Sequence, residues 1–328
     1  TWDPTEKVSA AYVYQMNLNT SFTGDDNLYV RLKAENGWVN MRSKPGTYHN
    51  EAGGSANGSL RVDKIWYTFP IGERWEATVG PRIENYYMLA ATPSVYKPKV
   101  LKAFRFGGHG VAFGATTSTG LGIKYVGDNG FATSLTVNSE GGDDSNGFLT
   151  DEDSNKVNLQ AAYTKDQYHV SATYTTQRGG WDEWHYYSTQ NLDQTFDEAD
   201  GFALRGWWRP EETGTVVPSV SIGYDTMTFA NPGNGYTDAS GYAVGLNWSD
   251  SFQAGDTIGV AFGQPLKGTD KTSNAIADDV DPFLWEAYYS FRPNDSIEIT
   301  PGIFGGSDVH SDTNDDVFGA VVTSTFRF

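Results

Sequence analysis

The fold is decided by the last thirteen residues, Asp316-Val317-Phe318-Gly319-Ala320-Val321-Val322-Thr323-Ser324-Thr325-Phe326-Arg327-Phe328, in which the two strand faces alternate strictly. One face carries Phe318, Ala320, Val322, Ser324, Phe326 and Phe328. A strand of about ten residues with a terminal aromatic has the length that a bilayer-spanning barrel requires. As the last strand of a ring, it would pair with the first and leave no exposed edge. The stretch therefore predicts a transmembrane antiparallel β-barrel.

The same alternation of apolar and polar residues recurs along the chain, in the stretches 12–22, 28–35, 74–83, 157–164, 202–209, 242–248 and 283–292. The apolar face carries aromatic residues at its ends and small aliphatic residues between them, which is typical of interfacial girdles around a lipid band. The opposite face carries Arg, Lys, Glu, Asn and Gln and must lie in water. A soluble β-sandwich or jelly roll also has one polar face, and it remains an alternative.

The composition agrees with an all-β membrane protein. The chain has 328 residues, of which 38% are hydrophobic and 14% aromatic, and no run of eighteen apolar residues occurs, which excludes transmembrane helices. The formal net charge of −18 argues against nucleic acid as a partner, because phosphate contacts need clustered Lys and Arg. There is no cysteine, which is a weak signal.

Motifs for catalysis, metals and cofactors are absent from the sequence. The five His residues are scattered without metal-ligand spacing, and no Gly-x-Ser-x-Gly, phosphate loop or dinucleotide fingerprint occurs. An outer-membrane phospholipase or protease would need a His–Ser or Asp–His constellation on one rim, and none is apparent. We therefore expect no enzyme, no cofactor and no metal site.

Tight turns and long connections alternate, as they do in outer-membrane barrels, whose short turns are periplasmic. The long connections are 36–57, 84–118, 139–155, 178–199, 227–238, 264–281 and 305–315. Fifteen strands fit this pattern, whereas bacterial single-chain barrels have even numbers. Either one strand precedes Thr1, or 110–117 forms a strand. We favour the first, because Trp2-Asp3-Pro4-Thr5 is typical of a loop. The predicted fold is thus a barrel of about 16 strands over residues 1–328, lacking its first strand.

Three stretches resemble a known family. They are Asn17-Leu18-Asn19-Thr20-Ser21-Phe22-Thr23-Gly24 followed by Leu28-Tyr29-Val30-Arg31-Leu32, then Asp63-Lys64-Ile65-Trp66-Tyr67-Thr68-Phe69-Pro70-Ile71-Gly72 with Val79-Gly80-Pro81-Arg82, and Phe104-Arg105-Phe106-Gly107-Gly108. They resemble the barrels of cyanobacterial outer-membrane porins of the carbohydrate-selective porin superfamily, some of which are called iron uptake porins. The likeness is specific over roughly residues 8–125.

The resemblance implies a protein of the cyanobacterial outer membrane, surrounded by lipid and lipopolysaccharide and assembled as a homotrimer. It implies passive diffusion of small hydrophilic solutes and inorganic ions, and carbohydrate passage is a trait of the superfamily. Members usually carry an upstream cell-wall-binding module, which residues 1–328 do not contain, so any peptidoglycan contact would be made outside them. A structural anchor that links the membrane to the cell wall, or a sugar-selective porin, is the alternative function.

A porin's selectivity depends on charges at a narrowing of its lumen. The long connection 84–118 is the best candidate to fold inward, because Pro93, Pro98 and Gly107-Gly108 let it bend. We predict a mixed-charge constriction lined by Arg74, Glu76, Arg82, Glu84, Lys97, Lys99, Lys102, Arg105, Arg31, Lys33, Arg205 and Arg209. Alternatively, the Lys residues contact lipid phosphates or acids at the rim.

The extracellular connections are rich in acids, which would concentrate cations at the pore mouth. The predicted vestibule acids are Asp143, Asp144, Asp151, Asp153, Asp197 and Asp279. These acids could instead solvate the surface and bridge lipopolysaccharide through divalent ions. An aromatic cluster of Trp181, Trp184, Tyr186 and Tyr187, with Trp207 nearby, has the side chains to stack on sugars, although Trp near strand ends is more often part of an interfacial girdle.

Overall fold

The chain forms a single antiparallel sheet of fifteen strands, seen in a computed structural model that describes residues 10–36, 58–108, 113, 117–179, 197–231, 235–272, 281–309 and 316–328. The strands are β1 (Val13–Thr20), β2 (Asn27–Glu35), β3 (Arg61–Ile71), β4 (Trp75–Ile83), β5 (Ser118–Val126), β6 (Phe131–Ser139), β7 (Asn155–Thr164), β8 (Tyr168–Arg178), β9 (Glu198–Trp208), β10 (Ser219–Ala230), β11 (Tyr236–Ser249), β12 (Thr257–Lys271), β13 (Phe283–Asn294), β14 (Ile297–Ser307) and β15 (Val317–Phe326). The all-β prediction and the count of fifteen strands are confirmed.

Each strand pairs with the next one along the chain, so the sheet is a continuous meander. Within the described residues, β1 and β15 share no ladder of hydrogen bonds, although the rings of Tyr14 and Phe328 are stacked with centroids 6.3 Å apart. The alternative strand at 110–117 is not seen at its two described residues, since Phe113 lies in a turn and Thr117 in a bend. The strand before Thr1 stays a prediction.

Along β7 and β8, polar side chains point inward and apolar side chains outward, the reverse of a soluble core. On β11 to β13 the inward set also includes Ala243, Ala261 and Leu284, which pack in a buried hydrophobic cluster with Val100, Leu101 and Phe104. On β7, Asn158 and Gln160 are fully buried, whereas Leu159 between them is 52% exposed. On β8, Thr173 is fully buried, whereas its neighbour Tyr174 is 45% exposed. This inversion is what a sheet with lipid outside and water inside requires. The alternation found in the sequence therefore predicted both faces correctly.

Short turns and long connections occupy opposite rims. The short rim carries the turns 21–26, 72–74, 127–130, 165–167, 209–218, 250–256 and 295–296. Two predicted long connections are shorter than expected, because β10 and β11 extend the ladder to Thr228 opposite Asp238 and β12 continues to Lys271. These stretches contain turn-forming residues, and yet their backbone stays in the sheet, so the strands are longer than predicted.

Two turns of the short rim repeat one arrangement. Asp26 accepts hydrogen bonds from the backbone amides of Phe22 and Thr23 and from the Tyr67 hydroxyl on β3. Asp256 does the same in the other turn, with backbone amides that include that of Phe252 and with the Tyr289 hydroxyl on β13. Such side-chain acceptors satisfy turn amides that lack a ladder partner. The repeat was not recognised in the sequence.

The connection between β4 and β5 contains the described helical turns, which are the 3₁₀ segments Asn85–Met88 and Lys102–Gly107. No helix in the described ranges is long and apolar enough to cross a membrane. We call residues 84–108 the inner segment, because its contacts lie on the inner face of the sheet.

Candidate functional site

The inner segment follows the inner face of the sheet through hydrogen bonds from its backbone. Its amides donate to side chains of β6, β7 and β10, in the pairs Ala90–Ser134 (3.1 Å), Ala91–Gln160 (3.0 Å) and Tyr96–Ser221 (3.0 Å). These acceptors all belong to the polar set that alternates with outward apolar residues. The segment thus takes its backbone partners from the wall, as an irregular chain inside a sheet must.

Glu286 on β13 anchors the middle of the inner segment. Its carboxylate is completely buried and accepts hydrogen bonds from the Tyr96 hydroxyl at 2.5 Å and from the Leu101 amide. On the next strand, Glu298 receives the Lys99 ammonium group at 2.7 Å. Two carboxyl groups on neighbouring strands therefore hold this part of the segment, one through hydrogen bonds and one through an ion pair.

Arg205 on β9 anchors the end of the inner segment. Its guanidinium pairs with Asp225 at 2.8 Å, with both side chains fully buried, and its Nε donates to the Phe106 carbonyl at 2.8 Å. The same group lies 5.0 Å from the centroid of the Phe113 ring. Arg205 was predicted to line the pore. In the structure its side chain is fully buried beneath the inner segment and holds that segment in place.

Glycines in the wall leave room for the inner segment. A Cβ at Gly245 would lie 2.4 Å from Cγ of Tyr96, and one at Gly223 would lie 1.9 Å from the carbonyl oxygen of Gly107. Neither separation is tolerated by real side chains, so these two positions need glycine for close approach. The segment and the wall are therefore fitted to each other.

A ladder of aromatic rings crosses the inner face from β2 towards Phe113. Consecutive centroid distances are 4.1 Å for Tyr29–Trp66, 4.6 Å for Trp66–Tyr87, 4.5 Å for Tyr87–Tyr86, 4.7 Å for Tyr86–Phe106 and 5.8 Å for Phe106–Phe113. Cations lie against its faces, with the Arg31 guanidinium 5.8 Å from the Tyr29 centroid and that of Arg105 5.2 Å from the Tyr86 centroid. We call these six rings the aromatic ladder.

Glu84 begins the inner segment within a group of opposite charges. Its carboxylate lies 2.9 Å from the Lys64 ammonium group and accepts the Tyr86 hydroxyl. Burial alone would raise the pKa of Glu84, but the charges of Lys64 and Lys102 and these hydrogen bonds lower it below its ordinary value of 4.5. Burial and the neighbouring Glu84 raise the pKa of Tyr86 well above its ordinary value of 10.0. Arg31 adjoins the group through Tyr87, because Nη2 of Arg31 donates a hydrogen bond to the Tyr87 hydroxyl at 3.3 Å.

A cavity of about 550 Å³ separates the inner segment from the short rim on the side of β9 to β15, and we call it the basic cavity. Five cationic side chains line it, namely Lys97, Lys99, Arg209, Arg292 and Arg327. The lining carboxylates are Glu212 and Glu298. The predicted constriction residues Lys97, Lys99 and Arg209 therefore come together in one place.

The remaining predicted constriction residues are spread over the inner face and the rims. Arg74 lies in an exposed turn of the short rim and pairs with Asp128, far along β4 from the inner segment. Glu76 pairs with Lys124 at 2.5 Å, Lys33 with Glu35 at 2.9 Å, and Arg82 Nε donates to the Asp63 carbonyl at 3.4 Å. Sequence alternation gives the face of a side chain but not its height along the strand, which explains this spread.

The predicted vestibule acids differ in exposure. Asp143, Asp144, Asp151 and Asp197 are exposed in connections of the long rim. Asp153 is buried, because its carboxylate accepts the amides of Gly141 at 2.8 Å and Leu149 at 3.1 Å and so organises its own loop. Asp279 lies outside the described residues, as do Trp181, Trp184, Tyr186 and Tyr187 of the predicted aromatic cluster. Trp207 stacks on His169 with centroids 5.6 Å apart, and its indole donates to the Thr92 carbonyl at 3.3 Å.

Sequence reasoning missed several residues that hold the site together. Glu286 was placed on a polar face by alternation, but nothing in a single sequence separates an anchor from any other inward polar residue. Ser221 lies outside the stretches in which alternation was recognised. The aromatic ladder was also missed, because its six members come from three separate parts of the chain. Across the part of the chain that the structure covers, no group of three or more His, Cys, Asp or Glu could hold a metal ion.

Comparison with known proteins identifies the family. A family described as "Carbohydrate-selective porin, OprB family" matches residues 7–328. The uncharacterized protein alr4550 of Nostoc sp. is 23% identical over 96% of this chain and 60% of its own length, and the uncharacterized protein sll0772 of Synechocystis sp. is 23% identical over 90% of this chain and 59% of its own. The chain thus spans about three fifths of the length of these curated relatives.

Solved porin structures share the fold. OprB of Pseudomonas putida superposes with a TM-score of 0.66 at 10% identity, covering 97% of this chain and 88% of that one. A mutant of the Rh. blastica porin gives a TM-score of 0.54 at 13% identity, covering 97% and 90%. The chain therefore belongs to the carbohydrate-selective porin family, whose fold is that of channels rather than enzymes and which implies a bacterial outer membrane.

Proposed function

Taking membership of the carbohydrate-selective porin family as the premise, we propose that the chain is a passive diffusion porin for small hydrophilic solutes and inorganic ions. The observation that carries the proposal is the polar inner face with the inner segment laid across it. Asn158, Thr173 and Thr175 belong to this polar face, whereas Leu159 and Tyr174 beside them are exposed on the outer face. A wall that is polar inside and apolar outside is what an aqueous lumen within a lipid bilayer requires.

We place the constriction where the inner segment passes the strands β2 to β4. There the cations Arg31, Lys64, Lys102 and Arg105 are interspersed with the acids Glu84 and Asp63, and Arg31 lies 3.8 Å from Asp63 and Lys64 2.9 Å from Glu84. Opposed charges across a narrow lumen order water and disfavour large apolar solutes. The long rim is then extracellular, as in other outer-membrane barrels. Its exposed acids form the acidic vestibule that would attract cations from outside.

Conductance in planar bilayers tests the function directly. The purified protein should form single channels whose conductance scales with salt concentration. Vesicles that contain it should admit small sugars and amino acids faster than larger ones. Arg31→Gln together with Lys64→Gln should move the reversal potential under a salt gradient towards cation preference. A matched control is Lys165→Gln, in a turn of the short rim. A protein that folds but conducts nothing would favour the structural anchor instead.

A sugar-selective porin is the second candidate, and the aromatic ladder favours it. Apolar faces of pyranose rings stack on Tyr and Trp side chains, while the flanking Arg31 and Arg105 supply hydrogen bonds to hydroxyls. Glucose or a short oligosaccharide should then reduce the ion current in a saturable way. Tyr87→Leu, at a half-buried ring of the ladder, should abolish that saturation while leaving the salt conductance present. A linear dependence of sugar flux on concentration would count against the candidate.

We also propose that a sixteenth strand completes the ring between β1 and β15, and that the protein is a homotrimer of a cyanobacterial outer membrane in contact with lipid and lipopolysaccharide. The even strand number of bacterial barrels supports the first point. An outward apolar hollow of about 690 Å³ supports the second, because Ala161, Ala172 and Gly206 form a low floor between Phe131 and Tyr224. Any contact with peptidoglycan would be made outside residues 1–328. Ala172→Trp should dissociate the trimer in native mass measurements.

A further inference from the structure

The basic cavity carries a net positive charge, although the chain as a whole is strongly negative. The protein has a formal net charge of −18, yet the side chains around this cavity comprise five cations and two carboxylates, an excess of three positive charges. Its walls come from the inner segment at Thr92–Lys99 above and from the turns 209–218 and 250–256 of the short rim below. Positive charge is therefore concentrated in one half of the proposed lumen.

The arrangement around Glu298 leaves cationic groups turned towards the cavity. Lys99, Arg292 and Arg327 all contact this one carboxylate, at 2.7, 3.3 and 3.1 Å. Glu298 is buried, whereas these three side chains keep 32%, 49% and 47% of their exposure. A single carboxylate neutralises one of the three charges, and the multiple N–H groups of Lys and Arg allow further hydrogen bonds. Glu298 thus holds the three cationic side chains in position, and the group of four side chains keeps a net positive charge.

The other side chains of the cavity suit an oxygen-rich anion. Lys97 forms no ion pair within the described ranges, and its carbonyl accepts the Tyr288 hydroxyl at 2.8 Å, which fixes its backbone at the cavity edge. Hydroxyl groups complete the wall, among them those of Thr92, Ser219, Ser249 and Thr257. Arginine forks and hydroxyl donors match the geometry of phosphate and carboxylate oxygens.

We propose that the basic cavity is a binding site for small oxyanions of the phosphate class on the permeation path. The inference rests on the proposed porin function and specifies a substrate class for the half of the pore beside the short rim. The long rim is acidic, whereas the half of the pore beside the short rim is basic. The two ends would therefore concentrate ions of opposite charge, and the ion current would be asymmetric with voltage.

The test uses the purified protein in planar bilayers, with inorganic phosphate as the probe. Phosphate added to a potassium chloride solution should reduce the chloride current in a saturable way. The double variant Lys97→Gln with Arg292→Gln should weaken that block about tenfold, as expected for the loss of charge-assisted hydrogen bonds. Lys165 is a basic residue of the same rim that lies outside the cavity, so phosphate should block the Lys165→Gln variant as strongly as it blocks the unaltered protein. Sulfate, acetate and neutral glucose as further probes separate the phosphate class from carboxylates and from size exclusion.

The outcomes distinguish this inference from the porin function. Normal channels without a phosphate effect would overturn the oxyanion site but not the porin function. The same holds if phosphate blocks the double variant as strongly as the unaltered protein. Acetate blocking as strongly as phosphate would overturn the assignment to the phosphate class. Absence of any channel would overturn the porin function itself.

Discussion

Glu286→Gln is the sharpest perturbation of the inner segment, because it changes one oxygen to an amide nitrogen without altering size. The buried carboxylate accepts the Tyr96 hydroxyl and the Leu101 amide, and the amides of Lys99 and Val100 also contact it. Glutamine keeps one acceptor oxygen and presents an NH₂ donor where another donor already points. At least one buried donor therefore loses its acceptor at a site that water does not reach.

The magnitude follows from the loss of that bond. Leaving a buried donor without an acceptor costs about 1–3 kcal/mol, and about 2 kcal/mol corresponds to a roughly 30-fold change in an equilibrium constant. The balance between docked and displaced inner segment should shift by that factor. Because the strand ladders of β13 do not involve this side chain, the sheet itself should remain intact.

Single-channel recording measures the effect. Glu286→Gln should raise the mean conductance and add open-channel noise or a second conductance level, as the segment leaves the wall for part of the time. Glu73→Gln, which removes an exposed carboxylate from the turn 72–74, should behave like the unaltered protein. The folded state of both variants is checked by their resistance to denaturation in detergent. Conductance and noise unchanged in Glu286→Gln would refute the role of this residue as an anchor.

Three further predictions follow from the same contacts. Gly245→Ala should displace Tyr96 and raise conductance noise in single-channel records, since the new Cβ would lie 2.4 Å from the ring; a quiet channel would contradict the close fit. Because the pKa of Glu84 is lowered in the folded protein, the stabilisation from its pair with Lys64 is complete above pH 4.5 and is lost as the pH falls below it. The difference in reversal potential between the unaltered protein and Glu84→Gln should therefore stay constant from neutral pH down to 4.5 and shrink only below, and a difference that shrinks above 4.5 would count against the pair. Asp256→Asn should lower the unfolding temperature in detergent, because its carboxylate accepts several turn amides, and an unchanged temperature would show that the turn does not depend on it.

The sequence predicted the sheet well because alternation is local. A period of two at Leu159 and Gln160 gives their opposite faces directly, and strand pairing follows from the chain order of a meander. The inward path of the inner segment was also predictable in outline, since its Pro and Gly residues favour an irregular chain.

The details of the site were not predictable, for a physical reason. Arg205 and Glu286 differ from other inward polar residues only in what the inner segment places against them, and that contact joins residues about one hundred and two hundred positions apart. The same applies to the basic cavity, which gathers Lys99 and Arg327 from distant positions. A strand pattern specifies direction, whereas a site also depends on depth and on the path of a non-repeating segment.

The most direct test of the account asks which side chains of one strand meet water. The chain has no cysteine, so single substitutions Ser219→Cys and Ile222→Cys on β10 can be compared without background. Ser219 lines the basic cavity and Ile222 is 55% exposed on the outward face. In lipid vesicles, a charged thiol reagent should modify Ser219→Cys and reduce its conductance while leaving Ile222→Cys unmodified. Rapid modification of Ile222→Cys with protection of Ser219→Cys would contradict a water-filled lumen inside a lipid-facing wall.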